Sequence, residues 1–110
     1  MREIVEGHRY ELDHYENYGL PGCKVQTVQF IQKESTVPGT LSPAVFRTVE
    51  DGTTNEEVLR MLIARMYYLQ AKMPCRENAL VITKLEESLM WLEKRTADRR
   101  ARGVEGTPAK

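Results

Sequence analysis

Five basic residues fall within nine positions near the end of the chain, in the stretch KRTADRRAR at 94–102. Arg95, Arg99 and Arg102 are spaced by four and three residues, so on a helix they project from one side. Guanidinium groups in such a row present planar forks of N–H donors, which suits them to bind phosphate oxygens. Cations near the end of a helix also favour its dipole and are commonly solvated. The pattern leaves two interpretations, an anion site or a solvated helix terminus.

Two other stretches carry side chains that could recognise a nucleotide. Asn78 lies in the segment PCRENA at a predicted helix start, where backbone N–H groups favour anions and a side-chain amide can read a base edge. Tyr67 and Tyr68 are adjacent, so they point about 100° apart on a helix, and one of them could offer a ring for stacking. The alternatives are a polar helix start for Asn78 and ordinary packing for the tyrosines.

Residue types suited to catalysis or metal binding do not form a recognisable motif. His8 and His14 have equal strand parity, but no third metal ligand accompanies them. Cys23 and Cys75 are far apart and match no zinc spacing. The sequence has no P-loop, no G-x-G-x-x-G motif and no pattern that pairs a nucleophile with a base. We therefore expect a binding protein without a metal or cofactor, and not an enzyme.

The overall composition narrows the classes of partner. Sixteen basic and sixteen acidic residues give a formal net charge of zero over 110 residues. DNA- and RNA-binding proteins usually have a basic excess, so we expect neither partner. No apolar run approaches the ~18 residues of a membrane span, and the polar start MREIVEGHRYEL is unlike a signal peptide. We expect a soluble intracellular protein of one domain, whose size favours oligomerisation.

The secondary structure that positions the candidate side chains has two parts. The first part is a β-rich half, residues 1–52. Three runs are rich in β-branched and aromatic residues or alternate in polarity: HRYEL, KVQTVQFIQK and AVFRTV. The segments YGLPG and TVPGT separate them, and Pro-Gly is typical of a turn. These features predict an antiparallel sheet of about three strands, and they leave the strand order open.

Residues 53–102 are predicted to form an antiparallel helical hairpin, which makes the fold class α+β. Two overlapping capping boxes in TTNEE predict the start of the first helix, Pro74 its end, and Gly103 the end of the second helix. The short connection makes the helices antiparallel neighbours, and residues 103–110 form a loose tail. Apolar residues recur at spacings of three and four: Val58, Leu62, Met66, Leu69 and Met73, then Ala79, Ile82, Leu85, Leu89 and Leu92.

The segment CRENALVITKLEESLMWLEKRTADRRARGVEGT resembles the corresponding part of the phage anti-defence sponges that inhibit Thoeris immunity. The hairpin domain of these sponges is shared with the anti-CBASS sponges. The resemblance is strongest over residues 53–107, about half of the chain. The β-rich half is less distinctive, but it is similar to the sheet of the Thoeris-type members, which the shorter anti-CBASS members lack.

The resemblance implies a function that the composition does not reveal. Members of this family capture cyclic ADP-ribose isomers, the glycocyclic form especially, that bacterial TIR-domain proteins make. They sequester the signal without breaking a bond in it, so its effector is not activated. Some members also bind cyclic di- or trinucleotides at separate sites created by assembly into hexamers, and the smaller assembly is a dimer. The implied location is the cytoplasm of the infected bacterial host.

The resemblance also implies a ligand site that uses five positions of this chain. The asparagine of the CRENA turn is Asn78, and the two arginines four apart in RTADR are Arg95 and Arg99. An aromatic residue late in the first helix is Tyr68, where the family pattern has phenylalanine. A further arginine precedes the first helix, and we assign it to Arg47, in a region where loop lengths vary. We expect such groups, drawn from two chains, to surround a diphosphate and an adenine.

Two other functions stay open at the level of the sequence. One is a hydrolase of the signal nucleotide, for which the sequence supplies no nucleophile or metal site. The other is a protein–protein adaptor that docks through the helical hairpin. The residues also leave open which ADP-ribose isomer is preferred, whether cyclic nucleotides bind, whether the assembly is a dimer or a hexamer, and what Cys23 and Cys75 do.

Overall fold

The computed structural model describes residues 1–16, 21–22, 25–35 and 46–107. Five short strands are followed by two helices, so the chain is α+β, as predicted. The elements are β1 (Arg2–Val5), β2 (Arg9–Leu12), β3 (Gln26–Gln29), β4 (Gln32–Ser35), β5 (Phe46–Glu50), α1 (Asn55–Lys72) and α2 (Arg76–Ala101).

The chain divides into two compact units. The first comprises residues 1–34 and 47–53, and the second comprises residues 35–46 and 54–110. The predicted turn TVPGT and Cys23 lie outside the described residues. The assignment of the chain to one domain stays a prediction.

A three-stranded antiparallel sheet in the order β1-β2-β3 forms most of the first unit. Tyr10 lies opposite Glu3 on one side and Val28 on the other. Its ring meets that of Phe30 edge to face, with centroids 5.9 Å apart. The alternating apolar residues of HRYEL and KVQTVQFIQK therefore meet on one face of this sheet, as their periodicity indicates.

The strands differ from the predicted set in two ways. β1 precedes the first predicted run, and the run KVQTVQFIQK is divided into β3 and β4. The division occurs because Phe30 forms a parallel bridge with Thr53, whose N–H donates to the Gln29 carbonyl at 2.8 Å. Strands β4 and β5 then form a separate two-stranded sheet. A long-range pairing thus interrupts a run that local periodicity presents as continuous.

The helical hairpin begins and ends at the signals found in the sequence. The Thr54 hydroxyl accepts a hydrogen bond from the Glu57 N–H at 3.2 Å and caps α1, which confirms the second of the overlapping capping boxes. Gly103, with φ of 72°, follows the end of α2 in the left-handed conformation that favours glycine. The pairs Arg60–Glu93 and Tyr67–Glu86, both 3.2 Å apart, show that the helices are antiparallel.

The hairpin by itself buries little apolar surface. Ile82, at 6% exposure, is the one buried hydrophobic residue in the part of the chain that the structure describes. The predicted stripe on α1 is partly wrong, because Leu62 and Met73 are 40% and 77% exposed, while Ile63 faces α2 and is half-buried. Other large apolar side chains are exposed on this unit: Met61, Leu80, Val81, Met90 and Trp91.

Over the described residues, neither helix has a stretch apolar enough to cross a membrane. Across the same residues, no group of three His, Cys, Asp or Glu side chains is arranged to hold a metal ion.

Candidate functional site

Asn78 lies in the first turn of α2, where its backbone is held and its side chain is available. Its N–H donates to the Sγ of Cys75, the N-cap residue, at 3.4 Å. The Cys75 N–H and carbonyl are in turn both hydrogen-bonded to the side-chain amide of Gln70. The half-buried Asn78 amide has no hydrogen-bond partner within the described residues. It can therefore donate to and accept from a bound molecule.

Arg95 and Arg99 lie one turn apart on α2 but in different surroundings. Arg95 is exposed and forms no ion pair with any described residue. Arg99 is only 5% exposed, because it ends the inward-facing stripe that runs through Leu92 and Thr96. Four residues advance about 400° around a helix, and the resulting offset of about 40° separates the solvent side from the buried side.

The Arg99 guanidinium binds the segment that follows α2. Its Nε lies 3.2 Å from a carboxylate oxygen of Glu105, and its Nη2 donates to the carbonyls of Val104 at 2.9 Å and Thr107 at 2.6 Å. A buried charge is tolerated when it is paired and hydrogen-bonded in this way. Thr107 also closes the segment, since its hydroxyl donates to the Val104 carbonyl at 2.6 Å. Arg99 therefore has a structural role within its own chain.

Tyr68 presents an accessible ring near the C-terminal end of α1. It is 57% exposed, and the Nζ of Lys72 lies 5.6 Å from its ring centroid, within cation–π range. The neighbouring Tyr67 has a different partner, because its hydroxyl donates to Glu86 on α2 at 3.2 Å. That hydrogen bond, and then the charge of Glu86, raises the pKa of Tyr67. Both rings are exposed, Tyr67 at 51% and Tyr68 at 57%, and they differ in their partners, Glu86 for the Tyr67 hydroxyl and Lys72 for the Tyr68 ring.

Arg47 belongs to the first compact unit, whereas the other four predicted site residues belong to the second. It lies on β5, and its Nε donates to a carboxylate oxygen of Glu34 at 2.9 Å. Both members of this pair are well exposed, so the ion pair is weak and can exchange for another anion. Its use in a ligand site stays a prediction.

The four predicted residues of the second unit are spread along the hairpin and do not form one pocket within a chain. Asn78 and Arg95 are 17 residues apart on the same helix, which is about 25 Å at 1.5 Å per residue. Tyr68 lies between these levels, since its neighbour Tyr67 pairs with Glu86. One small ligand cannot touch both ends of α2 in a single chain.

A separate groove of about 340 Å³ lies between the two helices. None of the five predicted site residues lines it. Its floor is apolar and its rim is charged, with Arg60 paired to Glu57 and Glu93 at 3.3 and 3.2 Å. The lining residues are Arg60, Ile63, Ala64, Glu86, Leu89, Met90 and Glu93.

Sequence reasoning passed over two residues beside the predicted site. Lys72 was detectable, because it lies four residues after Tyr68 on a predicted helix and so shares its face. Gln70 had no comparable signal, because its hydrogen bonds to Cys75 cross the turn between the helices. Side-chain contacts to a turn depend on the path of the backbone, which the residue pattern does not specify.

Comparison with known proteins assigns the chain to a family. A family model described as the Acb2/Tad1 hairpin domain matches residues 39–97, which include Tyr68, Asn78 and Arg95. The protein named Thoeris anti-defense 1 of Bacillus phage SBSphiJ7 is 47% identical over 102 residues, which cover 90% of this chain and 71% of the relative. An alignment of this length includes residues of both the β-rich half and the hairpin. The chain therefore belongs to the Acb2/Tad1 family of phage anti-defence proteins.

Proposed function

We propose that this protein counters Thoeris immunity in the cytoplasm of an infected bacterium by binding a cyclic ADP-ribose isomer and withholding it from its effector, without cleaving it. The observation that carries the proposal is the 47% identity to a relative named Thoeris anti-defense 1. That name gives the immune system that the relative opposes. The ligand and the sequestering mechanism are the parts that this proposal adds.

The chemistry of the exposed side chains supports a nucleotide ligand. Arg95 offers an exposed guanidinium that pairs with no described residue, and it can bind a phosphate through two parallel N–H donors. Tyr68 offers an accessible ring on which adenine can stack. Asn78 offers an amide with both donor and acceptor groups, which can fix the orientation of a base or ribose. Together these groups match the three kinds of chemistry in an adenine nucleotide diphosphate.

Self-association is part of the proposal, because one chain holds these residues too far apart. The span of about 25 Å between Asn78 and Arg95 is bridged when α2 helices of two chains pair in opposite directions. The exposed apolar residues of the hairpin, among them Met90 and Trp91, favour such pairing. A dimer is the smallest assembly that satisfies this requirement. In a hexamer, further interfaces would supply separate sites, to which we assign cyclic di- and trinucleotides.

Arg99 is proposed to contact the ligand only after it gives up contacts within its own chain. Its guanidinium is occupied by Glu105 and by the carbonyls of Val104 and Thr107. Because Arg99 is also only 5% exposed, we propose that the segment 104–107 yields some of these contacts when a ligand phosphate binds Arg99. Arg95 carries no such cost, so we propose it as the first phosphate contact and Arg99 as the second. Arg47 is the proposed contribution of the β-rich unit.

The deciding experiment follows the ligand itself. The purified protein is mixed with glycocyclic ADP-ribose, free ligand is removed by filtration, the protein is denatured by heat, and the released compound is identified by chromatography. We expect the protein to retain the ligand, so that the filtrate is depleted of it, and to release it unchanged on heating. Return as a different compound would make the protein a hydrolase. If all of the ligand passes into the filtrate, the protein does not bind it, which would contradict the proposed signal. Cyclic di- and trinucleotides would be tested next.

Matched arginine variants test the site within the same assay. We expect Arg95→Ala to weaken binding by roughly 1.5–3 kcal/mol, the scale of a hydrogen bond to a charged group. Arg100→Ala is the control, because Arg100 is also exposed and points about 140° away around α2. Equal losses in both variants would indicate a general charge effect. Wild-type affinity in Arg95→Ala would refute the assignment of Arg95, and an adaptor function predicts no small-molecule binding in any variant.

A further inference from the structure

The turn between the two helices is held by the side-chain amide of Gln70. Its Nε2 donates to the Cys75 carbonyl at 3.1 Å, and its Oε1 accepts from the Cys75 N–H at 3.0 Å. One side chain thus satisfies both backbone groups of a residue five positions later. Gln70 is half-buried at the end of α1, so its amide is held beside the turn.

The turn has few other means of holding its shape. Pro74 has no N–H and cannot donate to α1. Met73 donates its N–H to the Leu69 carbonyl at 2.9 Å, which is a bond to the backbone of α1, whereas the Cys75 N–H bonds only the Gln70 side chain within the described residues. Without Gln70, no described residue would bond the Cys75 N–H, and the direction in which α2 leaves the turn would be less restricted.

Cys75 is the residue from which the first turn of α2 is built. Its carbonyl accepts from the Ala79 N–H at 3.2 Å as well as from Gln70, and its Sγ accepts from the Asn78 N–H at 3.4 Å. Sulfur is a weak acceptor compared with the oxygens of Ser, Thr, Asp or Asn, which are preferred at an N-cap. The weak cap leaves Asn78 dependent on how well the Cys75 backbone is fixed.

We infer that Gln70 is a positioning residue for Asn78, and that it sets ligand affinity through the turn without touching the ligand. The inference rests on the proposed function for its binding readout. The contacts form one continuous path, from the Gln70 amide to the Cys75 backbone, and from the Cys75 Sγ to the Asn78 N–H. Asn78 contributes to binding only if its amide is held in one direction, because an ordering cost at the site reduces affinity.

A methionine substitution separates the hydrogen bonds of Gln70 from its shape. Gln70→Met keeps the length of the side chain and its helix propensity, but it removes both contacts to Cys75. Ser88→Ala is the control, because Ser88 also donates to a backbone carbonyl, that of Lys84 at 2.9 Å, at an exposed position of α2 away from the turn. Both variants lose side-chain to backbone hydrogen bonds, and only one of them affects the turn.

The binding test is a double-mutant cycle with glycocyclic ADP-ribose as the probe. We expect Gln70→Met to bind roughly tenfold more weakly, as the loss of about one net hydrogen bond predicts, and Ser88→Ala to bind as the wild type does. Asn78→Ala should bind weakly, and adding Gln70→Met to it should cause little further loss, because Gln70 acts through Asn78. Additive losses, or wild-type affinity in Gln70→Met, would overturn the inference.

A second measurement needs no ligand and separates this inference from the proposed function. Hydrogen exchange of the backbone amides at residues 75–79 should be faster in Gln70→Met than in the wild type, with no change in Ser88→Ala. Unchanged hydrogen exchange in Gln70→Met would overturn the positioning role, whatever the result of the binding test with glycocyclic ADP-ribose. Faster exchange in a protein that does not bind the probe would leave Gln70 as the residue that orders Asn78 and would reject the proposed ligand.

Discussion

The Nε of Arg99 lies 3.2 Å from Glu105, six residues further along the chain, and Arg99 is the one charged or polar residue that is buried among the described residues. A basic residue in an arginine-rich helix end is thus used to hold the segment 104–107 against α2. Arg95, one turn earlier, stays exposed and unpaired with the described residues. Two arginines that the sequence presents as equivalent therefore differ in burial and in their contacts within the chain.

The first prediction concerns the folding role of Arg99. Replacement of Arg99 by alanine removes an ion pair and two hydrogen bonds to backbone carbonyls, so we expect the free energy of unfolding to fall by about 2–4 kcal/mol. Arg95→Ala should change it by less than about 0.5 kcal/mol, as is usual for an exposed position. Urea unfolding followed by circular dichroism measures both values. Equal midpoints for the two variants would show that the buried contacts of Arg99 do not hold the fold.

The second prediction concerns Glu105 as an anion that competes with the ligand for Arg99. Glu105→Gln removes its charge but keeps its shape and its ability to accept from the Nε. Glu105 is partly exposed, so we expect only a modest effect, with ligand affinity rising about two- to fivefold. Titration calorimetry at two salt concentrations measures it. Weaker binding in Glu105→Gln would mean that the segment must stay attached to Arg99 when the ligand binds.

The third prediction concerns the close approach between Gly52 and β3. A Cβ added at Gly52 would lie 2.4 Å from the Gln29 carbonyl oxygen, which is backbone and cannot move aside freely. We expect Gly52→Ala to lower the free energy of unfolding by more than about 2 kcal/mol through steric strain. Gly7→Ala is the control, because its Cβ meets no atom within 4 Å and only its φ of 73° opposes the change. Its expected cost is about 1 kcal/mol. A larger cost for Gly7→Ala than for Gly52→Ala would contradict a tight contact between Gly52 and the Gln29 backbone.

The fourth prediction concerns the ring of Tyr68. We expect Tyr68→Ala to weaken binding of glycocyclic ADP-ribose by about 1–3 kcal/mol, the scale of base–aromatic stacking, and Tyr68→Phe to retain it. Tyr67→Phe is the control for a change in the neighbouring ring, whose hydroxyl contacts Glu86 instead. Isothermal titration measures all three variants. A loss in Tyr68→Phe as large as that in Tyr68→Ala would show that the hydroxyl, and not the ring, binds the ligand.

The fifth prediction concerns the pH dependence of the contact between the helices at Tyr67. The hydrogen bond to Glu86 raises the pKa of Tyr67 in the folded chain, so the neutral phenol is favoured by folding. The stabilisation is fully present below the unfolded value of about 10, and it is lost as pH rises through the folded pKa. Wild type should therefore exceed Tyr67→Phe in stability at pH 8, and the difference should vanish at strongly alkaline pH. If the stability difference between wild type and Tyr67→Phe grows with pH, the prediction is contradicted.

The helical hairpin is the part of the fold that the sequence determined by itself. Thr54 caps α1 and Gly103 follows α2 because capping and left-handed glycine depend on neighbours within a few positions. Pro74 interrupts the helical pattern for an equally local reason. The residue types of the candidate site could also be identified from the sequence, because Asn78 and the RTADR segment carry the family resemblance.

The tertiary structure decided how these residues are used. It divided one predicted strand at Phe30, because Thr53 pairs there and Gly52 permits the approach. It also buried Arg99 against Glu105 and left Arg95 in solvent. Both outcomes depend on contacts between distant segments, and a helical repeat or an alternating pattern describes only the faces of an element. Which face meets another segment, and at what register, is settled by packing, so the two arginines could be told apart only in three dimensions.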